Sequence, residues 1–148
     1  MDEVKRYLLL DSYYNNDMDR VIKAGFDNVF LAAKNSNNKL TIAINNKTQC
    51  KSHLEKIFDE KSINALVKGN ITTHKGVNIE LKTIRTINNY DDYGCIYAIY
   101  PSDDLINKIE SCHNKTLVMV VSYDLGIEYL YRWYNDFNVE GCGIDRSE

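Results

Sequence analysis

Six oxygen-bearing side chains follow short apolar runs in this 148-residue chain. Asp11 and Ser12 follow Tyr7-Leu8-Leu9-Leu10, Ser102 and Asp103 follow the run ending at Ile99-Tyr100, and Ser122 and Asp124 close the run from Thr116 to Val121. Carboxylates and hydroxyls gathered above helix N-termini are the groups that bind a metal or a ribose, or position a water. The same residue types cap helices, because a side-chain oxygen satisfies a free backbone N–H. Ser102, Asp103 and Asp124 fit that second role, and Asp103-Asp104 also suits the positive end of a helix dipole. Asp11 fits it less well, since it ends a strand several residues before the next helix.

A second candidate is aromatic. Ile127, Leu130, Tyr131, Tyr134 and Phe137 recur at the three- and four-residue spacing of one helix face. Tyr129 and Trp133, also four apart, fall to one side of that stripe. Such a shoulder is either an interaction patch, since Tyr and Trp concentrate at binding hot spots, or a packing surface for the tail that starts at Val139.

Established catalytic patterns are missing. The seven glycines form neither G-x-G-x-x-G nor G-x-x-x-x-G-K-[ST], and Gly141-Cys142-Gly143 follows a helix instead of a strand. His53, His74 and His113 do not pair at ligand spacing. Cys112-His113 points in two directions on a helix, and no nucleophile elbow occurs. Cys50, Cys95, Cys112 and Cys142 contain no C-x-x-C, so reduced structural thiols are expected. No catalytic residue, metal or cofactor is therefore assigned. Lys47, Lys51, Lys56, Lys61 and Lys68 are interrupted by Glu55, Asp59 and Glu60, which is the pattern of a solvated mixed face. Lys82 and Arg85 flank an exposed strand and could hold an anion.

The elements that must position these residues read as α/β. Two strand–helix units follow each other over residues 93–137, each apolar run ending in a polar cluster that opens an amphipathic helix. Earlier, Tyr7–Leu10 is a buried strand and Asp17 caps a short helix ended by Gly25. Asn28–Ala33 and Leu40–Ile44 are expected as strands. Only six residues separate them, too few for a parallel crossover, so they are expected to form an antiparallel hairpin. A helix opening at Thr48 buries Leu54, Ile57 and Phe58, and a second piece opens at Ser62 and ends at Gly69. Val77–Ile84 alternates apolar and polar, as near a sheet edge. Asparagine clusters fall between these segments, where they support turns. The expected fold is one three-layer domain over residues 1–148 that resembles Rossmann-like folds. It has a mixed, largely parallel sheet of about six strands and helices on both faces.

Composition narrows the function. A formal net charge of −3 disfavours broad nucleic-acid binding. No apolar run approaches the roughly 20 residues of a membrane span. Asp2 and Glu3 stand where a signal peptide needs positive charge, so a cytoplasmic protein is expected. Two readings follow. The first is a non-enzymatic binding protein of immunity or inhibitor type that recognises a protein partner, with Tyr129 and Trp133 as interface candidates. The second is a domain that binds a nucleotide-like or polar small molecule at the carboxyl ends of its strands, with hydrolase or transferase activity as an extension. Asp11, Ser12, Ser102, Asp103, Ser122 and Asp124 are its candidates.

Overall fold

A buried parallel sheet hides both of its faces, so its strands carry apolar side chains on both sides and need helices above and below. This chain meets that requirement with elements in the order β1 (Lys5–Leu10), α1 (Met18–Lys34), β2 (Lys39–Ile44), α2 (Cys50–Leu54), α3 (Glu60–Val67), β3 (Thr72–His74), β4 (Val77–Thr83), β5 (Asp92–Ile99), α4 (Asp103–Ser111), β6 (Asn114–Ser122), α5 (Glu128–Asp136) and β7 (Glu140–Cys142). The structure, a computed structural model, describes residues 4–10, 17–47, 50–122 and 128–142, with backbone alone at 50, 128, 129, 141 and 142.

Among the described residues seven strands form one sheet, in the order β3-β4-β2-β5-β6-β1-β7. All neighbours are parallel except β3 and β4. Successive strand residues alternate between two cores. Leu40, Ile42, Tyr97, Ile99 and Val121 pack beneath α1, α2 and α3, while Ile96, Ala98, Val118 and Val120 pack beneath α4 and α5. The fold is the expected three-layer α/β arrangement with a mixed, largely parallel sheet.

Its mixed character has a different origin from the one expected. Residues 28–33 are not a strand but the second half of α1, and β2 pairs in parallel with both β4 and β5. The buried positions Val21, Ile22, Gly25, Phe26, Val29 and Ala33 repeat at helical spacing across the whole segment. The half-buried Phe30 and exposed Leu31 fill the gap between them, so the run looks uniformly apolar in sequence. The one antiparallel pair among the described residues is the β3–β4 hairpin. Its two-residue turn, Lys75-Gly76, has φ of 49° and 87°. Positive φ at both central residues is the geometry that matches strand twist, and glycine adopts it without strain. As expected, β4 lies close to a sheet edge, and its outward residues Asn78, Glu80 and Lys82 are not buried.

Gly25 does not end a helix. A Cβ there would lie 2.6 Å from the Tyr97 hydroxyl and 2.9 Å from Val121 Cγ1. Its bare Cα lets α1 settle onto the sheet, and the Tyr97 hydroxyl donates to the Ile22 carbonyl at 2.6 Å. Asp17 caps α1 as expected, accepting from the Asp19 and Arg20 amides. The cap of α3 is Asp59, which accepts from Ser62 N–H, so Ser62 is the bonded partner and not the cap. The chain after Val139 adds β7 to the edge of β1.

Gly25→Ala should therefore destabilise the protein. The crowding costs about 1–3 kcal/mol and outweighs the gain of about 1 kcal/mol in helix propensity. Urea unfolding of Gly25→Ala, Tyr97→Phe and the double variant tests this. The double variant should lose less than the sum of the singles. A stabilised Gly25→Ala protein would show that the helix does not approach Tyr97 this closely.

Candidate functional site

Two regions carry the sequence candidates. The first is the carboxyl edge of the sheet. β1, β6 and β5 are parallel neighbours, with Leu10 opposite Ser122 and Ile99 opposite Val121, so their ends do meet on one edge. Ser102 sits there as the N-cap of α4, its Oγ accepting from the Leu105 amide at 3.2 Å. Asp103 is exposed in the first turn of α4. Ser122 is buried at the last position of β6. Asp11, Ser12 and Asp124 lie outside the described residues.

Sequence reasoning missed Asn45, the central residue of this edge. β2 leads to α2 and α3 on one face, whereas its neighbour β5 leads to α4 on the other. Such a divergence opens a crevice in α/β sheets. Asn45 spans it: Oδ1 accepts from Ser102 N–H at 2.7 Å, and Nδ2 donates to the Tyr100 carbonyl at 3.1 Å. An asparagine directly after a fully buried strand was the available signal. Tyr100 sits in the left-handed region at φ 45°, a conformation uncommon for a side chain of its size. Its amide donates to Val121 O, and its ring stacks on His53 with centroids 5.6 Å apart. Burial lowers the His53 pKa.

The second region lies between α4 and α5, where a groove of about 310 Å³ opens. α4 supplies Asp103, Asn107 and Glu110, at i, i+4 and i+7 on one helix face, α5 supplies Trp133 and Asp136, and Phe137 follows directly after α5. Of the two readings of the aromatic shoulder, Trp133 takes the packed one, in the same buried cluster as Val139. Trp133 is only 3% exposed, and its Nε1 donates to Glu110 Oε2 at 2.7 Å. Tyr131 and Phe137, expected on the buried stripe, are 49% and 39% exposed. Leu130 and Tyr134 are compatible with a stripe leaning either way. The indole takes the inner side because Glu110, distant in sequence, satisfies its N–H. A phenol tolerates water better. The side chain of Tyr129 lies outside the description.

Glu110 serves more than Trp133. Arg6 of β1 donates to both of its oxygens, Nε to Oε2 at 2.8 Å and Nη2 to Oε1 at 2.7 Å. This is the bidentate fork that a guanidinium makes with a carboxylate. Lys115 of β6 approaches Oε1 at 3.7 Å and donates to the Cys112 carbonyl at 2.6 Å. The Arg6 guanidinium also lies 4.6 Å from the centroid of the Phe137 ring. One carboxylate thus joins β1, β6, α4 and α5.

Among the described residues, no three His, Cys, Asp or Glu side chains are placed to hold a metal. Cys95 and Cys112 are buried free thiols whose pKa values burial pushes up, the opposite of what a nucleophile needs. Among the described residues no helix is long and apolar enough to cross a membrane. Comparison with protein-family models, curated proteins and solved structures finds no match.

Glu110→Ala should cost about 3 kcal/mol or more, because it leaves Arg6 and Lys115 unneutralised and the indole N–H unbonded. Glu110→Gln, which keeps an acceptor for the indole, should cost less. Chemical unfolding of both variants decides this, and equal, small losses would refute the role given to Glu110. His53 supplies a pH dependence. Its folded pKa lies below the unfolded value of roughly 6.5, so the unfolded chain takes up the proton first. The His53 term is therefore constant well above pH 6.5, and stability falls as the pH drops through that value. His53→Asn should flatten the fall between roughly pH 7.5 and 5.5 in unfolding midpoints measured across that range.

Proposed function

We propose that this chain is a non-enzymatic binding protein that recognises a protein partner, and neutralises or regulates it, with α5 and the groove beside it. The observation that supports this most is the exposed pair Tyr131, on the nine-residue α5, and Phe137, directly after its last residue, beside a helix whose inner face is fixed by Leu130 and Trp133. Large aromatics held on a rigid backing give contact area at little entropic cost, because few rotamers are lost on binding. An immunity or inhibitor role fits a small acidic protein of this kind. The buried free thiols Cys95 and Cys112 support a reducing, cytoplasmic setting.

A second reading, a nucleotide-like or polar ligand at the carboxyl edge, is supported by the adjacency of β1, β5 and β6. The placement of Ser102 as a cap, and Asn45 across the crevice, weigh against it.

Affinity capture from source-cell extract with the wild type and with Tyr131→Asp/Phe137→Asp separates these readings. The wild type should retain a protein that the variant loses. Titration of that purified protein should then show weakening on the order of tenfold or more, with the variant still unfolding cooperatively. Equal retention by both proteins would overturn the assignment to α5. A small-molecule mass held in native spectra, with no captured protein, would favour the carboxyl edge.

A further inference from the structure

We infer that the α4–α5 groove receives an arginine side chain from a basic segment of that protein partner, an inference that rests on the binding reading above. The groove is a mixed slot with an aromatic wall and acidic ends. Phe137, 39% exposed and backed by the buried Trp133, supplies the wall, while Asp103, Glu110 and Asp136 supply carboxylates against the single cation Arg132 among the lining residues. Glu110 is neutralised from within by Arg6 and Lys115. Asp103 and Asp136, by contrast, take part in no ion pair among the described residues. The carboxylates left without an ion pair therefore lie at the first turn of α4 and the last turn of α5, and with Arg132 beside them the groove keeps a net negative charge.

The chemistry of the slot selects arginine. A guanidinium is planar, stacks on an aromatic ring and forks onto a carboxylate, whereas an ammonium is a compact, strongly hydrated point charge. The chain demonstrates this with its own Arg6, which forks onto Glu110 and lies over the Phe137 ring. A slot of about 310 Å³ accommodates a second such side chain. The formal net charge of −3 steers a basic segment toward the molecule.

Trp133 is the single tryptophan of the chain and lines the groove, so its fluorescence reads the site directly. The probe is a synthetic octapeptide alternating arginine and serine, compared with its lysine and glutamate counterparts and followed in parallel by calorimetry. The arginine peptide should bind saturably and lose affinity as salt rises. The lysine peptide should bind several-fold more weakly, and the glutamate peptide should not bind. Asp103→Asn/Asp136→Asn, isosteric changes at exposed positions, should weaken the arginine peptide on the order of tenfold, with no more than the small loss of stability that a first-turn carboxylate carries. No saturable binding by either method, or equal affinity in the double variant, would overturn the inference. A partner captured through Tyr131 and Phe137 whose affinity ignores the double Asn variant would overturn it too, while leaving the binding reading intact.

Discussion

The Glu110 carboxylate is the constraint on which the α5 side of the molecule depends. A carboxylate moved out of water is costly unless its lone pairs are filled, and here β1, β6 and α5 fill them. The net stability of such a buried network is small, because desolvation offsets most of the attraction. Its effect is on geometry. A bidentate fork and an indole N–H can meet one carboxylate in few arrangements, so α5 is held at one rotation and Trp133 faces inward. That rotation leaves Tyr131 and Phe137 outside. The surface available to a partner is thus set by a polar contact beneath it.

The opposite face is held by a different device. α1 lies close to β5 because Gly25 has no side chain and the Tyr97 hydroxyl reaches the Ile22 carbonyl. The whole length of α1 then covers the middle of the sheet, and β2 is buried from Leu40 to Ile44. At the carboxyl edge, Asn45 joins the end of β2 to the start of α4, and Tyr100 adopts a left-handed backbone between them. These contacts stiffen the point where the chain diverges to opposite faces. They also engage the backbone groups through which a ligand would otherwise be bound.

The parts of this fold that were legible in sequence are those where local signals agree. The first strand–helix unit, β5 and α4, read correctly because a continuous buried strand ends in Pro101-Ser102-Asp103, and Ser102 is both a loop residue and a cap. The segment 28–33 read wrongly because Leu31 is apolar on the exposed face and the half-buried Phe30 and Ala32 flank the core stripe, hiding the helical period. Gly25 misled for a related reason. A missing Cβ means a helix end in one context and close packing in another, and only Tyr97, seventy-odd positions on, distinguishes them. The Lys75-Gly76 hairpin joins a three-residue strand too short to show alternation. Trp133 was visible as an aromatic of consequence. Its direction was not, because the partner of its N–H sits on another helix.

At the carboxyl edge the Ser102 hydroxyl is bonded to its own helix, and Asp103 lines the α4–α5 groove. The identity of a residue as a cap therefore does not exhaust it: in α4, Ser102 closes the helix and the next residue is free to face a neighbour. Glu110, at the far end of the same face, is saturated from within. Between a used carboxylate and a free one, the helix presents a graded charge along seven residues' separation, with the aromatic side chains of α5 opposite. A partner that binds there meets a surface already fixed on its inner side. Its own ordering is then the main entropy left to lose.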